Sequence, residues 1–118
     1  MKPVFFLLPL LALTGPAAAQ SGEGALVCVY NEGAYVARAT FDGQTSGGTW
    51  ERVGSSGSIT LDSQNCRRFS TRYVRTRTTV EGHTGFNWRQ TCRHEFAGTQ
   101  SVRITAKGTT LNQSCTVF

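Results

Sequence analysis

The chain has 118 residues, 12 Lys and Arg against 7 Asp and Glu, and 39% apolar side chains. That length makes one domain. Size, cysteine content and patterning exclude a cytosolic enzyme, a dinucleotide-binding Rossmann unit and a coiled coil, and the apolar run Val4 to Leu13 is too short to span a bilayer as a helix.

The chain opens with the basic Met1-Lys2-Pro3, continues through that apolar run, and reaches the small-residue site Ala17-Ala18-Ala19. This is the tripartite layout of a secretory signal peptide over residues 1–19, which leaves a single domain over 20–118 with no transmembrane segment. The remaining 99 residues keep all four cysteines but only 18 Leu, Ile, Val and Phe, below the roughly 20% at which disorder becomes a serious reading. A modest net charge of +4 and ten aromatics argue against disorder. A thin-cored domain stapled by two disulfides in a secreted or periplasmic compartment is expected.

Thr and Val are abundant, and the apolar period is two, so strands are predicted throughout. Ala25 to Asn31 forms the first, and Asn31-Glu32-Gly33 turns the chain. Ala34 to Asp42 follows, with Tyr35, Ala37, Ala39 and Phe41 on one face and Val36, Arg38 and Thr40 on the other. Gly43 to Gly48 reads as a loop, and Thr49 to Val53 as a short strand around Trp50. After the turn Gly54-Ser55-Ser56-Gly57, Ser58 to Asp62 is a predicted strand with Ile59 and Leu61 paired on one face. Tyr73 to Val80 places Val74, Thr76, Thr78 and Val80 inward and Tyr73, Arg75 and Arg77 outward. Glu81 to Gly85 forms a hairpin loop. The return strand puts Phe86, Trp88, Gln90, Cys92, His94 and Phe96 on one face and Asn87, Arg89, Thr91, Arg93 and Glu95 on the other. Val102, Ile104 and Ala106 point inward from the next strand, and Leu111, Gln113, Cys115 and Val117 from the last. Seven to eight short strands at this spacing predict an all-β antiparallel sandwich or small barrel.

Cys28, Cys66, Cys92 and Cys115 allow three pairings. The sequence-local choice, Cys28–Cys66 with Cys92–Cys115, is preferred, and Cys28–Cys115 competes. In a simple meander the strands of Cys92 and Cys115 would lie about 9.5 Å apart. A bridge needs α-carbons within about 7 Å, so the local pairing requires the last strand to cross to the other sheet. Without a Cys-x-x-Cys pair or clustered histidines, no metal site or cofactor is expected.

Ten of the eleven cations in residues 20–118 are arginine. Arg38, Arg75, Arg77, Arg89, Arg93 and Arg103 fall on outward positions, and Arg67, Arg68 and Arg72 cluster near Cys66. One hairpin would gather Arg75, Arg77, Arg89 and Arg93 on a sheet face beside Tyr73. Arginine suits bidentate contact with phosphate, sulfate or carboxylate. That makes an anionic glycan, lipid headgroup or protein surface the expected partner, against the plainer reading of solvated strand positions. Nucleic acid is the weakest partner, since no recognised binding motif accompanies the charge.

Catalytic patterns are thin. His83 and His94 with Glu81 or Glu95 would make a ribonuclease-like acid–base site, but alternation turns His94 inward and Glu95 outward. His94 reads as a core histidine, His83 as a loop-tip residue, and Trp50, Trp88, Tyr30 and Tyr35 as packing residues. Asn112-Gln113-Ser114 matches the N-glycosylation pattern. The expected function is non-catalytic binding, with an inhibitor presenting Gly43–Gly48 or Glu81–Gly85 as one alternative and the ribonuclease-like enzyme as the other.

Val29-Tyr30-Asn31-Glu32-Gly33-Ala34-Tyr35-Val36-Ala37-Arg38, Trp50, Gly57-Ser58-Ile59 and Gly108-Thr109-Thr110-Leu111-Asn112-Gln113-Ser114-Cys115 together resemble a pattern in small secreted bacterial β-sandwich proteins. In that pattern an N-x-G-A-Y-V-A-R turn joins the first two strands, and G-T-T-L-N precedes a late cysteine. The resemblance covers about a quarter of residues 20–118. It implies export and the β fold, and brings no activity or site residues with it.

Overall fold

A computed structural model describes residues 23–118, so the signal peptide expected over residues 1–19 lies outside the described residues. Eight strands and no helix are formed among them: β1 (Glu23–Asn31), β2 (Ala37–Thr45), β3 (Trp50–Ser55), β4 (Gln64–Ser70), β5 (Tyr73–His83), β6 (Trp88–Ala97), β7 (Val102–Thr109) and β8 (Asn112–Val117). They make two four-stranded sheets, ordered β4-β1-β7-β8 and β3-β2-β5-β6. All pairings are antiparallel except β1 with β7. The sheets face each other as a sandwich, and the chain changes sheet after β1, β3, β4 and β6.

Alternation decides which side chains lie between the sheets. Val27, Val29, Phe69 and Ile104 come from one sheet and Ala37, Ala39, Phe41 and Val80 from the other, all essentially without exposure. Phe41 and Phe69 meet edge to face across the core, with ring centroids 6.4 Å apart. Thr76 and Thr78 are fully buried among them, and their hydroxyls have no hydrogen-bond partner.

Both disulfides are the sequence-local ones, Cys28–Cys66 and Cys92–Cys115. The obstacle to the second is removed by the topology. β6 and β7 lie in different sheets, so Cys92 and Cys115 face each other across the sandwich with α-carbons 6.2 Å apart. Cys28 and Cys66 are direct cross-strand neighbours on β1 and β4.

Several local expectations are corrected. Gly43 to Thr45 continues β2 rather than opening a loop, since Thr45 donates its N–H to Thr49 O at 2.9 Å and closes a tight turn. Ser58 to Asp62 is no strand: Ile59 makes one isolated bridge to Ala37 and is buried, while Leu61 is exposed. The strand in this region is β4, around Cys66, which polar residues conceal from any apolar pattern. A register shift at Gln44 and Thr45 inverts the start of β5, so Tyr73 packs on Phe69 and Val74 is exposed. β5 also runs on to His83, shortening the predicted five-residue loop to Thr84–Asn87.

The largest change is in β6. Val80 pairs with Cys92, but Glu81 pairs with Gln90, leaving Thr91 without a partner in a bulge. Cys92, His94 and Phe96 face inward as predicted by alternation, whereas Trp88 and Gln90 are switched to the outer face.

Asn31 fixes the first crossing between sheets. Its fully buried side-chain amide donates to Tyr35 O at 2.6 Å and Ile59 O at 2.9 Å, and its Oδ1 accepts from Gly33 N–H at 2.9 Å. Removing it leaves Tyr35 O and Gly33 N–H unpaired, each costing roughly 1–3 kcal/mol, while Ile59 O keeps the Ala37 N–H at 3.0 Å. Asn31→Ala should therefore lower the unfolding free energy by about 3 kcal/mol in urea titration. Asn31→Asp should not restore it, because a carboxylate cannot donate to the two carbonyls. Stability of both variants within error of the parent would show that the crossing is held by other contacts.

Candidate functional site

The outer face of the β3-β2-β5-β6 sheet is polar and rich in arginine. Its cross-strand rows follow from the register. Trp50, Gln44, Arg75 and Ala97 form one row, and Arg52, Asp42, Arg77 and Glu95 the next. Thr40, Thr79 and Arg93 form a third, and Arg38, Glu81 and Gln90 a fourth, with His83 and Trp88 beyond them.

Each of the five arginines on this face is anchored through Nε. Arg38 Nε lies 2.7 Å from Glu81 Oε1, Arg52 Nε 2.7 Å from Asp42 Oδ1, Arg77 Nε 3.4 Å from Asp42 Oδ2, and Arg75 Nε 3.4 Å from Glu95 Oε1. Arg93 Nε donates to Thr79 Oγ1 at 3.1 Å. No Nη atom of these five makes a hydrogen bond to another described residue. Two of them also stack: Arg38 lies 4.0 Å above the Trp88 ring and Arg77 4.1 Å above Trp50. Both tryptophans thus pack across strands against arginine, outside the core.

Of the residues singled out from the sequence, Arg75, Arg77 and Arg93 share this face. Arg89 does not. It follows Trp88 past the bulge, pairs with Gly82 and faces the opposite way. Gly82 is tightly approached there by Gln113 and Tyr35. Tyr73 also leaves the row, turned inward by the β2 register shift. The sequence reading missed Arg52 and Arg38 as members, although Arg38 already stood on an outward position. Arg67 lies between the sheets, its guanidinium against Gly54 and its Nε buried without a partner. Arg103 stacks on Tyr30 on the far sheet, 4.6 Å from the ring centroid.

The four acid–base candidates do not converge. Glu81 is paired with Arg38, and Glu95 stands two rows away with Arg75. His94 lies on the inner side of β6 beside Phe96, and His83 Nδ1 accepts the Gly85 N–H at 3.0 Å. Among the described residues there is no pocket, and no three His, Cys, Asp or Glu side chains are grouped to hold a metal.

A second surface feature lies at one end of the sandwich. The 32–36, 56–63, 84–87 and 110–111 loops gather there, tied by Ala34 N–H to Gly108 O at 2.9 Å and His83 N–H to Val36 O at 2.9 Å. Their tips expose Phe86 at 95%, Leu111 at 75% and Leu61 at 58%, with Val36 beside them.

No protein-family model matches the chain, and no curated protein does. Solved structures do. A Gram-negative toxin superposes with a TM-score of 0.63 at 21% identity over 80% of this chain and 22% of its own. A disulfide-locked intermedilysin, solved with human CD59, gives 0.61 at 21% identity, covering 80% of this chain and 24% of its own. The cytotoxin suilysin from Streptococcus suis gives 0.59 at 19%, covering 80% and 23%. The chain therefore spans less than a quarter of each toxin's length, and the likeness establishes the fold alone. The two disulfides and these toxin neighbours are consistent with an exported protein.

Tyr73 belongs to a network at the opposite end of the sandwich. Its hydroxyl donates to Glu51 Oε1 at 2.9 Å, and Arg72 grips both Glu51 oxygens at 2.8 and 3.2 Å. The Arg72 and Tyr73 hydrogen bonds hold the Glu51 carboxyl below its ordinary value of 4.5. A depressed folded-state value gives stability that is present above pH 4.5 and is lost as pH falls through it. The urea midpoint should accordingly drop between neutral and acidic pH, and Arg72→Gln should make that drop shallower. An identical pH profile in the variant would remove Glu51 from the acid response.

Proposed function

We propose that this chain is an exported, non-catalytic binding domain that holds an anionic envelope component, glycan or protein on the outer face of its β3-β2-β5-β6 sheet. The observation that supports this reading is the shared posture of Arg38, Arg52, Arg75, Arg77 and Arg93. Nε is spent on the sheet, and the outer Nη edge is left for a ligand. An anchored guanidinium loses little further side-chain freedom on binding, which favours recognition over mere solvation. Five arginines against Asp42, Glu81 and Glu95 leave the face net positive. At low ionic strength the domain should be retained on a sulfate- or phosphate-bearing matrix and released as salt screens the contact. Arg52→Gln with Arg93→Gln should shift elution to lower salt. Absence of retention at low salt would sink the reading.

The loop end supports a second reading. Phe86, Leu111 and Leu61 are exposed at loop tips of one end, a grouping of the kind found at interaction surfaces, and the neighbours in fold include proteins described as toxins. In this reading the domain docks end-on to a lipid or apolar protein surface. Phe86→Ser with Leu111→Ser should then abolish sedimentation with uncharged phosphatidylcholine vesicles and leave retention on the anionic matrix intact. Sedimentation unchanged by both substitutions would remove the loop end from binding.

A further inference from the structure

Resting on the anion-binding reading of the arginine face, the geometry points to a narrower occupant: we infer that the face is a track for a linear acidic polysaccharide bearing sulfate or carboxylate groups, laid along the strands. Arginines recur in successive cross-strand rows, at Arg75, then Arg77 with Arg52, then Arg93, then Arg38. Successive rows are two residues apart along a strand, about 6.7 Å, so four rows extend over about 20 Å. A compact anion such as a single phosphate meets one row. A chain with charges repeating along its length meets all of them.

The ends of the track are consistent with a sugar chain. Trp50 lies beside the first row and Trp88 beyond the last, both on the same outer face with an arginine stacked above each ring. With those ring faces covered, the stacked guanidinium planes and the tryptophan edges beside them offer pyranose rings flat contact edged by hydrogen-bond donors. The carboxylates do not block the track. Asp42 is nearly buried beneath Arg52 and Arg77, and Glu81 and Glu95 each hold an arginine by Nε. Arg72 provides the contrast: its two Nη groups close on Glu51, and it lies off the face.

A bilayer is the less suitable occupant of this face. The strands run from the apolar loop end to the opposite end, so inserting Phe86 and Leu111 would stand the sheet upright on the membrane. The arginine face would then look sideways, where a soluble or surface-tethered glycan reaches it and headgroups do not.

The experiment compares two double variants with equal loss of charge. Arg75→Gln with Arg93→Gln removes two positions from the track, while Arg89→Gln with Arg103→Gln removes two arginines that face elsewhere. Heparin is the probe, at a salt concentration of about 0.15 M, with circular dichroism checking that both variants are folded. The track variant should bind at least about tenfold more weakly, and the off-face variant within about twofold of the parent. Affinity should also rise from heparin disaccharide to longer oligosaccharides until the track is filled. Equal losses from the two variants, or a disaccharide binding as tightly as long chains, would overturn the track. Phosphatidylglycerol vesicles separate this failure from that of the parent reading. If they bind through Arg75 and Arg93 while heparin does not, the anion-binding face stands and the glycan falls. If neither probe binds at low salt, both fall.

Discussion

The end of the arginine face where Arg38 meets Trp88 depends on one residue of β6 without a cross-strand partner, Thr91. Because side chains alternate along a strand, an extra residue on β6 between the partners of Val80 and Glu81 reverses every later position relative to its neighbours. On one side of the bulge Cys92, His94 and Phe96 face the core. On the other Trp88 emerges outward, where Arg38 covers it. The freed Thr91 hydroxyl donates to Gln113 Oε1 at 2.7 Å in the facing sheet. The bulge therefore serves packing and surface together, aiming Cys92 at Cys115 while bringing a tryptophan into the row of arginines.

A core this thin depends on constraints other than apolar volume. Phe41 and Phe69 are the largest side chains wholly enclosed, and much of the remaining interior is valine, alanine and threonine. Thr76 and Thr78 bury hydroxyls with no partner, each a cost that an aliphatic residue would avoid. The bridges offset this in two different ways. Cys92–Cys115 links the two sheets, while Cys28–Cys66 ties the edge strand β4 to β1, where the register has already placed them side by side. In a chain-entropy account each contributes about 2–4 kcal/mol. That is comparable to the whole margin of a small domain.

The parts that were legible in the sequence were those governed by strict alternation. Tyr35, Ala37, Ala39 and Phe41 are inward as their spacing requires, and Val102, Ile104 and Ala106 likewise. The parts that were not legible share a cause: register shifts have no signature in an apolar pattern. The shift at Gln44 turns Tyr73 inward, and the bulge at Thr91 turns Trp88 outward and Arg89 away. β4 was hidden for another reason. Gln64, Asn65, Arg67 and Arg68 form a strand because β1 offers an edge and Cys66 is bonded to it, a tertiary cause that local propensity does not encode. Within the site, Arg75, Arg77 and Arg93 were readable by counting in twos. Arg52 required knowledge that β3 lies beside β2.

Asp42 connects the stability of the sandwich to the state of its surface. Its carboxylate is only 8% exposed, yet it is shared between Arg52, which is largely in solvent, and Arg77, which is mostly covered. A carboxylate removed from water this far is tolerable only while paired, so the sheet requires at least one arginine above it. Arg77 meets that need and also covers Trp50, which fixes its position twice over. Arg52 is then additional charge on a site already neutralised, as Arg93 is on a hydroxyl. The exposed pairs Arg38–Glu81 and Arg75–Glu95 add little stability in water, at most about 1 kcal/mol each. Folding thus accounts for one arginine on this face out of five. The other four hold their places by Nε contacts that stability hardly needs, and that is the physical ground on which the proposed anion-binding reading rests.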